Sequence, residues 1–352
     1  MLTPSAQTLA LLADIENRID PDAEENFLAQ WRSFLDGQFD GDIFWPQRPH
    51  TSLPNEPLPA ININDALADY DRMLQRELVG VSHALSTPSF NLSVRANYGT
   101  GILSSVFGAQ IFEMPYETNT LPTTRPFEDP ARIDEIIAAG IPDLNAGFGK
   151  QVLEMGEIFA EVFAKYPKIS KYVTIYHPDL QGPLDIAELL WGSEMFYAMY
   201  DEPEKVHALL TLITDTYTAF MQRWERTCPL REDMNPHWAN VWHRGKLMLR
   251  NDSAMNISPE MYSEFAAPYD GLLLARFGGG AVHFCGRGDH YIDQLCALPG
   301  LFGINLSQPE YNDMEKIYQN TVDRGICILG FHPTRAAQDV CRKGGFAHRL
   351  SI

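Results

Sequence analysis

The stretch Lys246–Cys285, KLMLRNDSAMNISPEMYSEFAAPYDGLLLARFGGGAVHFC, carries one complete unit of the fold. Lys246 to Arg250 is a short apolar run of strand type, and Asn251, Asp252 and Ser253 follow it as turn residues. Ser258 before Pro259 is an N-cap with proline in the first helical turn, and Gly278-Gly279-Gly280 closes the resulting helix. Ala281 to Phe284 then resumes as a strand. Strand, helix and strand in this order imply neighbouring parallel strands with a helix laid across them.

Outward from this unit the pattern repeats. Strand-type runs occur at Ala60–Ile63, Phe90–Arg95, Tyr172–Tyr176, Lys246–Arg250, Ala281–Phe284, Phe302–Leu306, Ile326–Phe331 and Phe346–Leu350. Leu184–Tyr200 reads as helical, and a second helix is expected to open at Asp201, with Glu204 three positions on as in a capping box. Its apolar face is Val206, Leu209, Leu210, Ile213, Tyr217, Phe220, Met221 and Trp224. Eight strand candidates favour an α/β fold in the form of a single closed (β/α)8 barrel of TIM type. Residues 5–18 and 23–36 have helical spacing, and Pro46, Pro49, Pro54, Pro57 and Pro59 come next. Residues 1–58 therefore read as an N-terminal helical extension with a proline-rich crossing, and residues 59–352 as the barrel. The extension is expected to lie against the barrel, where an apolar strip would otherwise be uncovered. A homodimer interface is the rival cover for that strip.

Composition narrows the function classes. The 352 residues are 45% hydrophobic, as suits a globular core, and 27 basic against 46 acidic residues give a charge of −19. Such a chain repels a phosphate backbone, so nucleic acid is excluded as an expected partner. The N-terminus has no basic region before its apolar stretch, there is no membrane-length apolar run, and the five cysteines include no CxxC pair. These features point to a cytoplasmic protein without a membrane association, acting on a small-molecule substrate.

In a barrel, functional groups gather at the C-terminal ends of the strands. Those ends carry Asn97 and Tyr98, His177 and Asp179, Asn251 and Asp252, His283 and Cys285, Asn305, and His332. His283 and Cys285 form the sharpest pair, because residues two apart on a strand share a face and can offer nitrogen and sulfur to one metal ion. By itself HxC is a weak pattern, and a small apolar cysteine beside a hydrogen-bonded histidine is the plainer alternative. Trp238, Trp242, Tyr176 and Tyr98 lie near the same strand ends and are expected to be packing.

Three segments add context: Gly182-Pro183-Leu184-Asp185-Ile186-Ala187; Asn251-Asp252-Ser253 leading to Ser258-Pro259-Glu260-Met261-Tyr262 and Pro268-Tyr269; and His283-Phe284-Cys285-Gly286. In this order and spacing they resemble the uroporphyrinogen decarboxylase superfamily, over roughly residues 60–352. The resemblance implies a (β/α) barrel and one of two chemistries, decarboxylation in tetrapyrrole synthesis or zinc-dependent transfer of methyl groups between corrinoid proteins and thiols. Decarboxylases of the superfamily share an arginine-rich RQAGRY loop. Between Pro46 and Leu78 this chain has nothing similar, and Arg48 stands alone.

The resemblance therefore leans to the methyltransferase branch, in which His283 and Cys285 match the first two zinc ligands. A third ligand in that branch, a cysteine, lies just past the last strand, where this sequence has no counterpart. His332, in Gly330-Phe331-His332-Pro333, is the expected replacement, with Cys327 behind it. The implied activity is a methyltransferase-like reaction with a metal-bound thiolate as acceptor and a corrinoid protein as donor, and no tightly bound organic cofactor is expected. Asp252 and His177 are the candidate catalytic residues, and Asn97, Tyr98 and Asn305 the candidate substrate contacts. A metal-free decarboxylase acting on another acid and a non-catalytic barrel are the alternatives.

Overall fold

The computed structural model describes residues 2–342 and 344–352. Among these residues the strands are β1 (Ile43–Phe44), β2 (Ser93–Val94), β3 (Gln110–Phe112), β4 (Thr123–Arg125), β5 (Thr174–Ile175), β6 (Met234–His237), β7 (Val241–Arg244), β8 (Leu247–Arg250), β9 (Gly280–Phe284), β10 (Leu301–Leu306), β11 (Cys327–Ile328) and β12 (Leu350–Ser351). Six form one parallel sheet in the order β1-β12-β11-β10-β9-β8. A further parallel pair joins β2 to β5, and β3–β4 and β6–β7 are antiparallel. With helices in the connections, this is a mixed α/β fold around a central parallel sheet. Among the described residues no helix is long and apolar enough to cross a membrane.

Successive residues of a strand face opposite sides, and two cores record this alternation. Leu247 and Leu249 of β8, Val282 and Phe284 of β9 and Ile328 of β11 join the large core shared with the helices. Met248, Ala281, Cys327 and Leu329 belong to a second, smaller core. It is completed by Met234, Val241 and Trp242 of the β6–β7 hairpin and by Phe27, Trp31 and Phe34 of the second of two N-terminal helices, α1 (Ala6–Arg18) and α2 (Pro21–Leu35). The hairpin and α2 thus cover the inner face of the sheet, and α1 packs on the helix Tyr70–Leu85.

Side chains and the hairpin also stand in for missing ladder bonds. Met248 N–H, in the middle of β8, donates to His177 Nε2 at 3.0 Å, across to the chain just after β5. Near β2, Asn91 N–H donates to Ala239 O at 2.6 Å and its Nδ2 to Val241 O at 2.8 Å, so the tip of the hairpin takes bonds that an adjoining strand would.

Several local expectations change. Ala60–Ile63 is not a strand: the Asn62 side chain accepts from Asn64 N–H at 2.9 Å and caps a helix that begins at Ile63. The strand beside β12 is instead β1, two residues long and therefore without readable alternation. The helix expected over Leu184–Tyr200 breaks at Gly192, whose φ of 69° is left-handed, into Pro183–Trp191 and Glu194–Asp201. The next helix, Pro203–Thr227, has Glu202 at its N-cap without a side-chain cap bond, so Asp201 does not cap it. Ser258 does cap as expected, accepting from Met261 N–H at 3.2 Å. All eight residues of the expected apolar face from Val206 to Trp224 are buried.

Trp31 is fully buried, with its ring edge-on to Phe34 and Phe44. Trp31→Ala is expected to destabilise the protein by about 3–5 kcal/mol in urea unfolding, as large aromatic deletions from a packed core do.

Candidate metal centre

The strand ends are joined by backbone bonds before any functional side chain is placed. Asn251 N–H donates to His283 O at 2.9 Å, tying the turn after β8 to β9. Gly182 comes so close to β8 that a Cβ on it would lie 2.1 Å from Arg250 O, which only glycine permits. The helix Pro183–Trp191 begins there, and its first turn presents Asp185, which accepts from Asp252 N–H at 3.1 Å and Ser253 N–H at 2.8 Å. Asp252, so oriented, accepts from Cys285 N–H through Oδ1 at 2.7 Å.

Three side chains converge at this point. Cys285 Sγ lies 3.3 Å from His283 Nε2, and Asp252 Oδ1 lies 3.5 Å from the same nitrogen. One ligating atom from each of Asp252, His283 and Cys285 falls within 4.8 Å of the others. The imidazole is held from behind by Asn305. Asn305 Nδ2 donates to Leu329 O at 2.6 Å, which leaves Oδ1 to accept from His283 Nδ1–H, also at 2.6 Å. That bond selects the tautomer whose Nε2 lone pair faces Cys285 and Asp252, the arrangement a metal-binding histidine requires.

Trp238, at the tip of the hairpin, meets the His283 ring at 77° with centroids 5.0 Å apart. Its φ of 52° is left-handed, an uncommon conformation for a bulky residue. The Arg250 guanidinium lies 4.7 Å from its ring centroid, donates to His237 Nε2 at 2.7 Å and pairs with Asp179 at 3.0 Å.

Burial lowers the His283 pKa; the Asp252 carboxylate opposes that effect and the Arg250 charge adds to it, so the ring is neutral at neutral pH. Burial raises the Cys285 thiol, with the Asp252 charge adding to the effect. Sulfur and imidazole are thus a thiol and a neutral base unless a cation draws the proton off the sulfur. Burial first, and then the Asp252 charge, pushes the Asp185 carboxyl up to about 8.

The remaining expected site residues are dispersed. His177 is buried, with Nε2 accepting from Met248 N–H and Nδ1–H donating to Pro178 O at 2.8 Å, and burial lowers its pKa to about 3. Both ring nitrogens serve backbone groups, so His177 bridges the strands and has no proton to exchange with a substrate. Tyr98 is buried against Phe148 in the large core, and Asn97 donates to Glu77 at 3.3 Å. Asn305 reaches His283 rather than open space. His332 is an exposed N-cap residue of the helix Pro333–Asp339, outside the converging trio, and Asp252 holds the third position expected for it. Cys327 is strand core. Asp185 was not anticipated as a site residue, and Trp238 was placed near these strand ends but expected only to be packing. A carboxylate in the first turn after Gly-Pro was a readable signal for Asp185, whereas nothing in the local sequence marks Trp238.

A central parallel sheet with a nitrogen, sulfur and oxygen donor set at its strand ends defines the class, an α/β protein with a candidate metal centre. No protein-family model matches the chain, and no curated protein matches it in sequence. A solved structure, a methyltransferase from Methanosarcina mazei, is similar in fold: the TM-score is 0.58 and the identity 15%, over 81% of this chain and 77% of that one.

Two expectations follow from this geometry. Asn305→Leu removes the acceptor that selects the His283 tautomer, and zinc affinity, measured by competition with a chromophoric chelator, should fall about 10–100-fold. Asp270, in the helix Ala267–Arg276, accepts from Asn251 Nδ2, and burial pushes its carboxyl from 3.8 up to about 7. Between those values the unfolded chain has lost a proton that the folded chain keeps, so stability declines as pH rises through that window. Asp270→Asn removes this titration, and its melting temperature relative to wild type should rise between about pH 4 and about pH 7.

Proposed function

We propose that the protein is a methyltransferase, related to the uroporphyrinogen decarboxylase superfamily, in which Asp252, His283 and Cys285 hold a zinc ion and a thiol accepts the methyl group. The observation that carries this reading is the His283 Nε2 lone pair, unblocked and 3.3 Å from Cys285 Sγ and 3.5 Å from Asp252 Oδ1. Tetrahedral zinc with bonds of roughly 2.0–2.3 Å sets its ligands about 3.3–3.8 Å apart, which the donor types and the two separations from His283 Nε2 match. A zinc ion there would convert a substrate thiol, with a pKa of about 8.5 when free, into a thiolate at neutral pH. The likeness of fold to a methyltransferase supports the same reading.

The chain's own residues have separate tasks. Asn305 keeps the proton of His283 on Nδ1, and Asp185 holds the turn that aims Asp252. The Asp252 side chain is 41% exposed, so its second oxygen is open to a substrate. The Trp238 ring closes the side of His283 toward the inner face of the sheet and limits water there. In this reading the eight parallel strands close as a (β/α)8 barrel, the hairpin occupies its bore, and the metal centre sits at the C-terminal mouth where such folds carry their chemistry. The methyl donor is proposed to be a corrinoid on a separate protein that docks over this mouth.

Elemental analysis tests the reading. Wild type and His332→Ala should retain about one zinc per chain, and Cys285→Ser and His283→Ala should lose it. Zinc binding should weaken as pH falls, because protons compete for sulfur and imidazole. The zinc-loaded protein should transfer methyl from methylcobalamin to a thiol. A wild type that binds no metal after zinc is supplied would overturn the proposal.

A further inference from the structure

Two histidines of the β6–β7 hairpin are fully buried and lie on one face of it, because His243 is paired with Asn235 and His237 stands two residues beyond Asn235 on the same strand. Their tautomers are fixed by their partners. Arg250 Nη2 can only donate, so its 2.7 Å bond to His237 Nε2 leaves the ring proton of His237 on Nδ1. A carbonyl can only accept, so the 3.1 Å bond from His243 Nδ1–H to Arg244 O leaves a lone pair on His243 Nε2. Burial lowers both pKa values, that of His243 to about 4, so each ring carries one proton at neutral pH. The result is a donor, His237 Nδ1–H, and an acceptor, His243 Nε2, both enclosed and without a protein partner among the described residues. The two rings are neighbours, with centroids 6.4 Å apart and planes at 54°. A direct N–H···N bond of about 3.0 Å cannot span that separation, whereas two bonds of about 2.9 Å meeting at one oxygen can.

We propose that His237 Nδ1–H and His243 Nε2 hold one internal water, and that through it His243 acts as a positioning residue for the wall of the candidate metal centre. The mixed pair selects the occupant. A cation would meet the His237 N–H with the Arg250 guanidinium behind it, and an anion would meet the His243 lone pair; water both accepts and donates. An internal water needs about two to four polar partners, and this pair supplies two that are otherwise unpartnered. The bonds then run in one sense, from Arg250 to His237, to the water, to His243 and on to Arg244 O. His237 immediately precedes Trp238, whose ring meets that of His283 with centroids 5.0 Å apart, so the water fixes β7 against the strand that ends in that wall.

A crystal structure of the full chain with its solvent ordered should show one water within about 3.2 Å of both nitrogens. Rings bonded directly to each other, no density between them, or an ion with bonds of about 2.1 Å in its place would overturn the site. The positioning role is read by amide hydrogen exchange over residues 234–244 in two variants. His243→Leu removes the acceptor and should speed exchange at the hairpin tip roughly tenfold. His243→Gln, which keeps a carbonyl oxygen near the position of Nε2 but loses the bond to Arg244 O, should restore slow exchange. Unchanged exchange in His243→Leu would overturn the role. So would His243→Gln exchanging as fast as His243→Leu, since the effect would then belong to the lost Arg244 contact. If His243→Leu does not fold, the wild-type crystal structure still decides whether the water is there. Neither measurement uses a metal ion, so failure here is distinct from failure of the zinc reading.

Discussion

A parallel sheet has two faces to bury, and here the inner one is covered by a hairpin of the same chain. Met234, Val241 and Trp242 of that hairpin, with Phe27, Trp31 and Phe34 of α2, pack on Met248, Ala281, Cys327 and Leu329. Burying this surface removes apolar area from water, the dominant favourable contribution to folding. It also places the hairpin tip, His237 and Trp238, directly beside Arg250 and His283. The same packing that completes the core therefore supplies one wall of the candidate metal centre.

The centre itself illustrates how a weak pair of ligands becomes a defined site. A histidine and a cysteine two residues apart on β9 share a face, but sharing a face does not decide which imidazole nitrogen is free. Asn305, in register with His283 on the neighbouring strand β10, decides it. The third group arrives from β8 through a turn pinned by Asp185, which lies far away in sequence. Each support is a hydrogen bond to a group that would otherwise be buried without a partner, and such bonds are costly to break.

Carboxylates dominate the outer side of this site and arginines the inner side. Arg95 and Arg250 share Asp179 in a buried network that also engages His237 and Gln181. Charges taken out of water need partners, and these arginines have found theirs within the protein. An open cleft beside the centre is bordered by Glu188 and Asp252, with the buried Asp185 behind them, and none of these three is paired with an arginine or lysine among the described residues.

What the sequence determined by itself was whatever local chemistry specifies. The strand-helix-strand unit around Ser258 and Gly278-Gly279-Gly280 was legible because caps and glycine breaks act within a few residues. The His283–Cys285 pair was legible because strand periodicity alone puts both on one face. Only the tertiary structure decided the rest. The edge strand Ile43–Phe44 gains its identity from pairing with Leu350–Ser351, some three hundred positions away, and has no alternation of its own. His177, read as a catalytic group, is taken by the backbone of β8, while Asp252 instead of His332 joins the trio. Those outcomes depend on which strand ends meet, and that follows from how the two faces of the sheet are buried rather than from any short stretch of residues.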